Sequence, residues 1–202
     1  MRRKTHHVRL CATLWQTQGM GEVANNTPLA SERLTLVPLG RSHIRSVHAL
    51  WTDAEVRRYL FDGEVISLPQ AENMVASNLE CFASHGVGLY ALVERVTTPH
   101  GTEPLMGFCG VRVFEDGETM ELLYGIYPRY WGKGLIHEAA TAVLAHVFNH
   151  CEIGRVIAAT DTPNQRSVSV MQRLGMSFSE RREWHGLDTV FYDITAADFA
   201  AT

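Results

Sequence analysis

Two periods of hydrophobic placement alternate along this chain, and their succession predicts a mixed α/β protein. Leu34 to Pro38 alternates apolar and polar positions as a half-buried strand does. Ser42 to Leu60 shifts to helical spacing and predicts one or two helices, broken near Thr52–Asp53, where either residue suits an N-cap. Pro69 to Ser84 opens with proline in the first turn and carries Met74, Val75, Leu79 and Phe82 on one face. Gly88 to Val96 and Leu105 to Phe114 read as strands joined by a polar loop over Thr97 to Pro104. Asp116–Gly117 marks a hairpin turn into a strand from Thr119 to Tyr127. A buried helix is expected from about Gly132 to Asn149, then a short strand over Arg155 to Thr160 and a helix over Thr162 to Leu174. Two strands close the order, near Ser177 to Trp184 and Thr189 to Ile194.

The helix at Thr162 carries its own boundary signals. Thr162, Pro163, Asn164 and Gln165 read as a capping box with proline at the first helical position. Gly175 supplies a left-handed stop, and Val168, Met171 and Leu174 form a buried stripe. Helix chemistry does not require Asn164 and Ser167 to stand one turn apart, a spacing at which both face one neighbour.

The junction LYGIYPRYWGKG, Leu123 to Gly134, is the most informative segment. An apolar strand ends at Pro128, Arg129, Gly132 and Gly134 follow as R-x-x-G-x-G, and a helix begins. A glycine turn lets backbone approach a ligand closely, and a helix N-terminus carries about half a positive charge. The combination suits a phosphate group. Two common phosphate loops are excluded by spacing: Tyr127 stands where a P-loop needs its first glycine, and Gly134 where it needs Ser or Thr. His137 stands where a dinucleotide fingerprint needs its third glycine.

Composition narrows the class. With 202 residues the chain suits one domain with a sizeable core. No apolar run approaches the roughly 18 residues of a membrane span, and the N-terminus lacks a clean signal-peptide core. Residues 1–28 read as a flexible extension and 29–202 as the domain, with a cytoplasmic location. Four of the 18 bases (Arg2, Arg3, Lys4, Arg9) and one of the 22 acids (Glu22) precede residue 27. The body is therefore acidic by seven charges, which disfavours nucleic acid as the main partner and favours a cationic acceptor. Cys11, Cys81, Cys109 and Cys151 show no C-x-x-C spacing and suit reduced thiols. His146 and His150 have an i,i+4 spacing but no third ligand, so no metal site is expected.

Arg129, Gly132 and Gly134 match the [QR]-x-x-G-x-[GA] signature of the GNAT superfamily of N-acetyltransferases. The wording YWGKG with Glu138–Ala139 resembles its RimJ/RimL-like branch, which includes acetyltransferases of ribosomal-protein N-termini. Asn164, Ser167 and Leu174 to Met176 resemble a second block of that branch, and Ser31 to Leu39 its first strand. The resemblance covers about residues 30 to 195. It implies a central mixed, mostly antiparallel sheet of about six to seven strands flanked by helices, with acetyl-CoA as cofactor and a direct transfer in a ternary complex.

By the same resemblance, Arg129, Tyr130, Trp131, Gly132, Lys133, Gly134 and Leu135 hold the coenzyme A pyrophosphate. Backbone groups of Leu123, Tyr124, Gly125 and Ile126 line the pantetheine arm, with Asn164 opposite. Glu121 matches the branch's base and shares a strand face with Leu123 and Gly125; a solvated hairpin carboxylate is the alternative reading. Many family members protonate the leaving thiol with a tyrosine seven residues after the asparagine. Met171 stands there, which moves the role to Ser167. Trp51, Tyr59, Phe61, Glu64 and Trp184 to Leu187 are acceptor-site candidates, with Trp51 and Tyr59 equally readable as core aromatics.

Protonation cost separates the acceptors. An α-amine with pKa near 8 loses its proton at pH 7 for roughly 1.4 kcal/mol, a lysine amine for about 4.6 kcal/mol. An N-terminal or small-molecule primary amine is therefore expected, with the enzyme a monomer or homodimer. The alternatives are a polyamine, amino-acid or antibiotic acetyltransferase, a non-catalytic acyl-CoA-binding regulatory module, and a basic extension that recruits ribosome or RNA.

Overall fold

The computed structural model describes residues 27–95 and 104–201. Strands β1 (Leu29–Ala30) and β2 (Leu34–Pro38) lead to helix α1 (Ile44–Thr52) and helix α2 (Leu68–His85). Strands β3 (Leu89–Glu94), β4 (Gly107–Val113) and β5 (Met120–Ile126) follow, then helix α3 (Leu135–His150) and strand β6 (Arg155–Asp161). Helix α4 (Gln165–Arg173), strands β7 (Ser177–Trp184) and β8 (Leu187–Thr195), and the short helix α5 (Ala196–Ala200) complete the order.

The strands form one sheet in the order β1-β2-β3-β4-β5-β6-β8-β7. Neighbouring strands are antiparallel except β5 and β6, which run parallel through only two residue pairs, Met120↔Val156 and Glu121↔Ile157. Each face of the sheet buries its own core, as the layer architecture of α/β folds requires. Helices α3 and α4 cover one face, where Ala139, Val143, Val147, Val168 and Met171 pack on Leu36, Val111, Leu122 and Ile126. Helices α1 and α2 cover the other, where Val47, Leu50, Trp51 and Val75 meet Leu89, Ala91 and Phe108.

The mixed, mostly antiparallel architecture agrees with expectation, with eight strands among the described residues rather than six or seven. The extra pairing is β1, two residues long, set against Leu36 and Thr35 of β2. The expected extension, residues 1–28, falls outside the described residues except for its last two, and so does most of the loop over Thr97 to Pro104.

Between Ser42 and Leu60 only α1 is a full helix. Asp53 accepts from the N–H groups of Glu55 and Val56, and the chain continues in single turns at Arg57–Tyr59 and Phe61–Gly63. Helix α2 is fixed locally by Ser67 and Gln70, which form a reciprocal capping box, and by left-handed Gly86 at its end. Its Asn78 is buried: the side-chain amide donates to the carbonyls of Leu39 and Leu89, and the oxygen accepts from Leu89 N–H. This polar staple ties α2 to β3 and to the chain leaving β2.

The capping of α4 differs from the sequence reading. Thr162 donates its N–H to the carbonyl of Asp188, so it continues the β6–β8 pairing instead of starting a helix. Asn164 is the cap, accepting from Ser167 N–H at 3.4 Å. Tertiary pairing at Thr162 overrides a locally acceptable box and moves the helix start two residues on.

Candidate active site

The cleft is built by strands that pair briefly and then part. Strand β5 pairs with β4 along its whole length, but with β6 only at Met120 and Glu121. Past Glu121 the two strands are no longer bonded. Met120, Leu122 and Ile126 point into the core under α3, while Leu123 packs against the α1/α2 core. By the two-residue period Glu121 and Gly125 share Leu123's face. A Cβ on Gly125 would approach a ring carbon of Phe108 to 2.7 Å, so that position must be bare.

Backbone groups alternate sides in an antiparallel strand. Tyr127 N–H donates to Met106 on the β4 side, whereas the Trp131 indole takes the Ile126 carbonyl from the other, at 2.9 Å. Of the four residues expected along the pantetheine arm, Tyr124 and Ile126 therefore turn backbone groups to the opening. Leu123 and Gly125 turn theirs to β4.

The loop after β5 has the predicted character. Pro128–Tyr130 makes a single turn, and Gly132 and Gly134 adopt left-handed φ values of 73° and 75°. No side chain caps the start of α3, which leaves the first-turn N–H groups to meet an anion. Leu135 is buried and anchors the helix. Tyr130 and Trp131 pack on the core beneath the loop. Cations gather on these rings: Arg129 lies 4.6 Å from the Tyr127 ring centre and 4.9 Å from that of Tyr130, and Arg166 lies 4.2 Å from Trp131. Lys133 is exposed, its Nζ 5.5 Å from the Tyr130 ring centre.

A clamp from the turn between β1 and β2 holds this loop. Glu138 accepts from the Ser31 hydroxyl at 2.6 Å, from Arg33 N–H at 2.7 Å and from the Arg33 guanidinium at 2.7 Å. The same guanidinium donates to the Lys133 carbonyl at 3.0 Å. Burial pushes the Glu138 carboxyl up, but the hydrogen bonds from Ser31 and Arg33 outweigh it and hold the group below its ordinary range. The one signal of this constellation in the sequence is Glu138 in the helix's first turn.

Glu121 is 4% exposed, at the point where β5 and β6 part. Burial raises its pKa, and Arg112, whose Nε lies 2.8 Å from the carboxylate, opposes that rise. Ser167, in the first turn of α4, sets its Oγ 2.7 Å from the Tyr124 phenol. The sequence reading placed Tyr124 here for its backbone and missed its side chain. Asn164 is committed to capping, and its amide donates to Thr160 Oγ1 at 2.9 Å. Met171 is fully buried, so the position of the missing tyrosine is a packing position in this chain.

The other candidates sort between core and surface. Trp51 is 1% exposed and edge-packed on Phe61 and Phe108, a core role. Tyr59 and Phe61 are half-buried and Glu64 is exposed. Trp184 stacks on Phe114 with ring centres 5.6 Å apart, beside the His185–Gly186 turn. The His146 and His150 rings lie 5.4 Å apart, and among the described residues no group of three or more His, Cys, Asp or Glu could hold a metal.

A family profile described as "Acetyltransferase (GNAT) domain" matches residues 33–177. The chain belongs to the GNAT acetyltransferase family. Protein YkkB of Bacillus subtilis (strain 168) is 28% identical over 163 residues, 79% of this chain and 91% of its own length. A GNAT-family acetyltransferase structure from Bacillus anthracis superposes with a TM-score of 0.68 at 24% identity, over 85% of this chain and 99% of that one. RimL, the ribosomal L7/L12 α-N-protein acetyltransferase, solved in complex with coenzyme A, superposes with a TM-score of 0.69 at 16% identity, over 84% and 98% of the two chains.

As a GNAT acetyltransferase the protein draws its acetyl group from acetyl-CoA, whose thioester supplies an activated acyl carbon. The chain's residues fit that donor. Uncapped α3 N–H groups and the left-handed glycines suit a pyrophosphate. Where β5 loses β6, its backbone suits an extended amide-bearing arm.

Proposed function

We propose that the protein N-acetylates a primary amine, either a peptide α-amine or a small-molecule amine, in the cytoplasm. Glu121 acts as the general base, directly or through one water, and Ser167 donates a hydrogen bond to the leaving sulfur. The observation that carries this reading is the placement of these two groups. By strand alternation Glu121 faces the α1/α2 side of the sheet with Leu123, while Ser167 lies on α4 against Tyr124, on the α3/α4 side. An amine entering past Glu121 attacks an acyl carbon whose sulfur departs on the Ser167 side.

Burial supports the assignment of the base. A carboxylate whose pKa is raised by burial accepts a proton more effectively than a solvated one. Arg112 opposes the rise, since a neighbouring cation favours the charged form of the carboxylate. The acidic body and the roughly 1.4 kcal/mol needed to deprotonate an α-amine favour a cationic acceptor of modest pKa. RimL, which resembles this fold, acts on a protein α-amine.

A second reading is a module that binds acetyl-CoA without turnover. It is favoured by Met171, fully buried where many of the family have a tyrosine. Coenzyme A release from acetyl-CoA, measured with a panel of peptides and small amines, separates the two, with calorimetric titration of acetyl-CoA alongside. Turnover on one acceptor class is the expected result. Tight binding without turnover on any amine supports the module.

A further inference from the structure

Ser167 has an unusual hydroxyl for a helical residue. Thr52, Thr141 and Ser169 each donate to the carbonyl four residues earlier, the ordinary use of such a group. Ser167 does not: the Pro163 carbonyl accepts Gln165 N–H, and Ser167 Oγ meets the Tyr124 phenol at 2.7 Å. The phenol has a second acceptor within reach, the Ser167 carbonyl at 3.2 Å. One phenolic hydrogen thus faces two oxygens of the same residue.

We propose that Tyr124 is a positioning residue that makes Ser167 a better donor to the departing sulfur as charge develops there. This inference rests on the role given to Ser167 above. With no charge on the sulfur, the phenol donates to the Ser167 carbonyl and the serine hydroxyl donates to the phenol. As the C–S bond breaks, its electron pair stays on sulfur, and the serine hydrogen turns to that thiolate. The phenolic hydrogen then swings from the carbonyl to Ser167 Oγ, compensating the rotation and polarising the hydroxyl through a chain of two hydrogen bonds.

The arrangement is strongest when the sulfur is charged, and only such differential binding accelerates the step. No proton leaves Tyr124. The amine lone pair forms the new C–N bond, and the amine proton passes to Glu121 and on to solvent. The thiolate takes its proton from water after release. Burial raises the Tyr124 pKa and keeps the phenol protonated throughout.

The test uses Tyr124→Phe, Ser167→Ala and the double variant, with two readouts. In the first, the coenzyme A complex is titrated with pH and the bound thiolate followed by its ultraviolet absorbance. Free thiols ionise near pH 8.5. The wild-type complex is expected to ionise lower, each single variant about one unit higher than wild type, and the double variant no higher than Ser167→Ala. In the second, Tyr124→Phe lowers kcat about tenfold, the size of one hydrogen bond to a charged group, with KM for acetyl-CoA within about twofold. The double variant is expected to be no slower than Ser167→Ala alone.

Independent, multiplying effects of the two substitutions would overturn the relay, as would a Tyr124→Phe enzyme with wild-type thiol ionisation and kcat. Ser167→Ala matching wild type in both readouts would overturn the role of Ser167 itself, and the relay with it. A purely structural Tyr124 would instead lower the melting temperature and leave the bound-thiol titration in place.

Discussion

Replacing Glu138 by alanine tests how the fold reaches the cofactor loop. The carboxylate accepts from Ser31 Oγ, Arg33 N–H and the Arg33 guanidinium, all within 2.7 Å. The Arg33 side chain is about half exposed, at 49%, so on losing its partner it recovers water and contributes at most about 1 kcal/mol. The half-buried Ser31 hydroxyl and the Arg33 N–H contribute roughly 1 kcal/mol each. The variant should lose about 2 to 3 kcal/mol, which lowers the melting temperature by on the order of 5 to 10 °C.

The same change frees Arg33 from the geometry that holds the Lys133 carbonyl at 3.0 Å. Re-ordering one loop residue on binding costs about 1 to 2 kcal/mol, so the Kd for coenzyme A should rise roughly tenfold by calorimetry. The kcat at saturating acetyl-CoA should stay within about twofold, because the clamp does not touch the reacting atoms. Glu138 sits below its ordinary pKa, so its contribution is full above the unfolded value and fades as pH falls through the folded one. A lower melting temperature with an unchanged Kd would refute the link between the β1–β2 turn and the loop.

Other substitutions probe single steps of the reasoning. Gly132→Ala keeps open space around its Cβ but forces an L-residue to φ 73°, a cost of about 1 to 2 kcal/mol; it should weaken coenzyme A binding about tenfold. Gly117→Ala, with φ 81° at the β4–β5 hairpin and equally open space, should cost similar stability and leave binding intact. Asn78→Ala removes three buried hydrogen bonds and leaves two carbonyls and an N–H without that partner; denaturant unfolding should show a loss of about 3 kcal/mol or more. As the proposed base Glu121 acts in its ionised form, so kcat should fall as pH drops through its raised pKa. The sign for stability is opposite to the usual carboxylate case. The unfolded chain releases this proton first, so ionised Glu121 lowers stability as pH rises from the ordinary to the raised value. Glu121→Gln should therefore be at least as stable as wild type at neutral pH.

Much of the site was legible because its determinants are local. Gly132 and Gly134 announce left-handed backbone, Pro128 ends a strand, and Glu121 lies on a strand whose alternation is readable. What escaped depends on contacts distant in sequence. Tyr124 and Ser167 stand 43 residues apart and Arg33 and Glu138 105 apart, and only the packing of α3 and α4 on the sheet brings each pair together. Asn78 escaped because a polar residue on an amphipathic helix is ordinarily solvated, whereas here it fills backbone valences between α2 and β3. Thr162 misled because its local sequence is a good cap, and the β8 carbonyl that claims its N–H is invisible in that sequence.

The central claim is that Glu121 and the opening beside it perform acetyl transfer to an amine. Coenzyme A release by wild type and Glu121→Gln, over the amine panel and across pH, tests it most directly. Turnover is expected on one acceptor class, with a loss in Glu121→Gln of about a hundredfold or more in kcat, no acid limb in the variant, and unchanged coenzyme A binding. A Glu121→Gln enzyme with the kcat and acid limb of wild type would contradict it and leave Glu121 as the buried partner of Arg112.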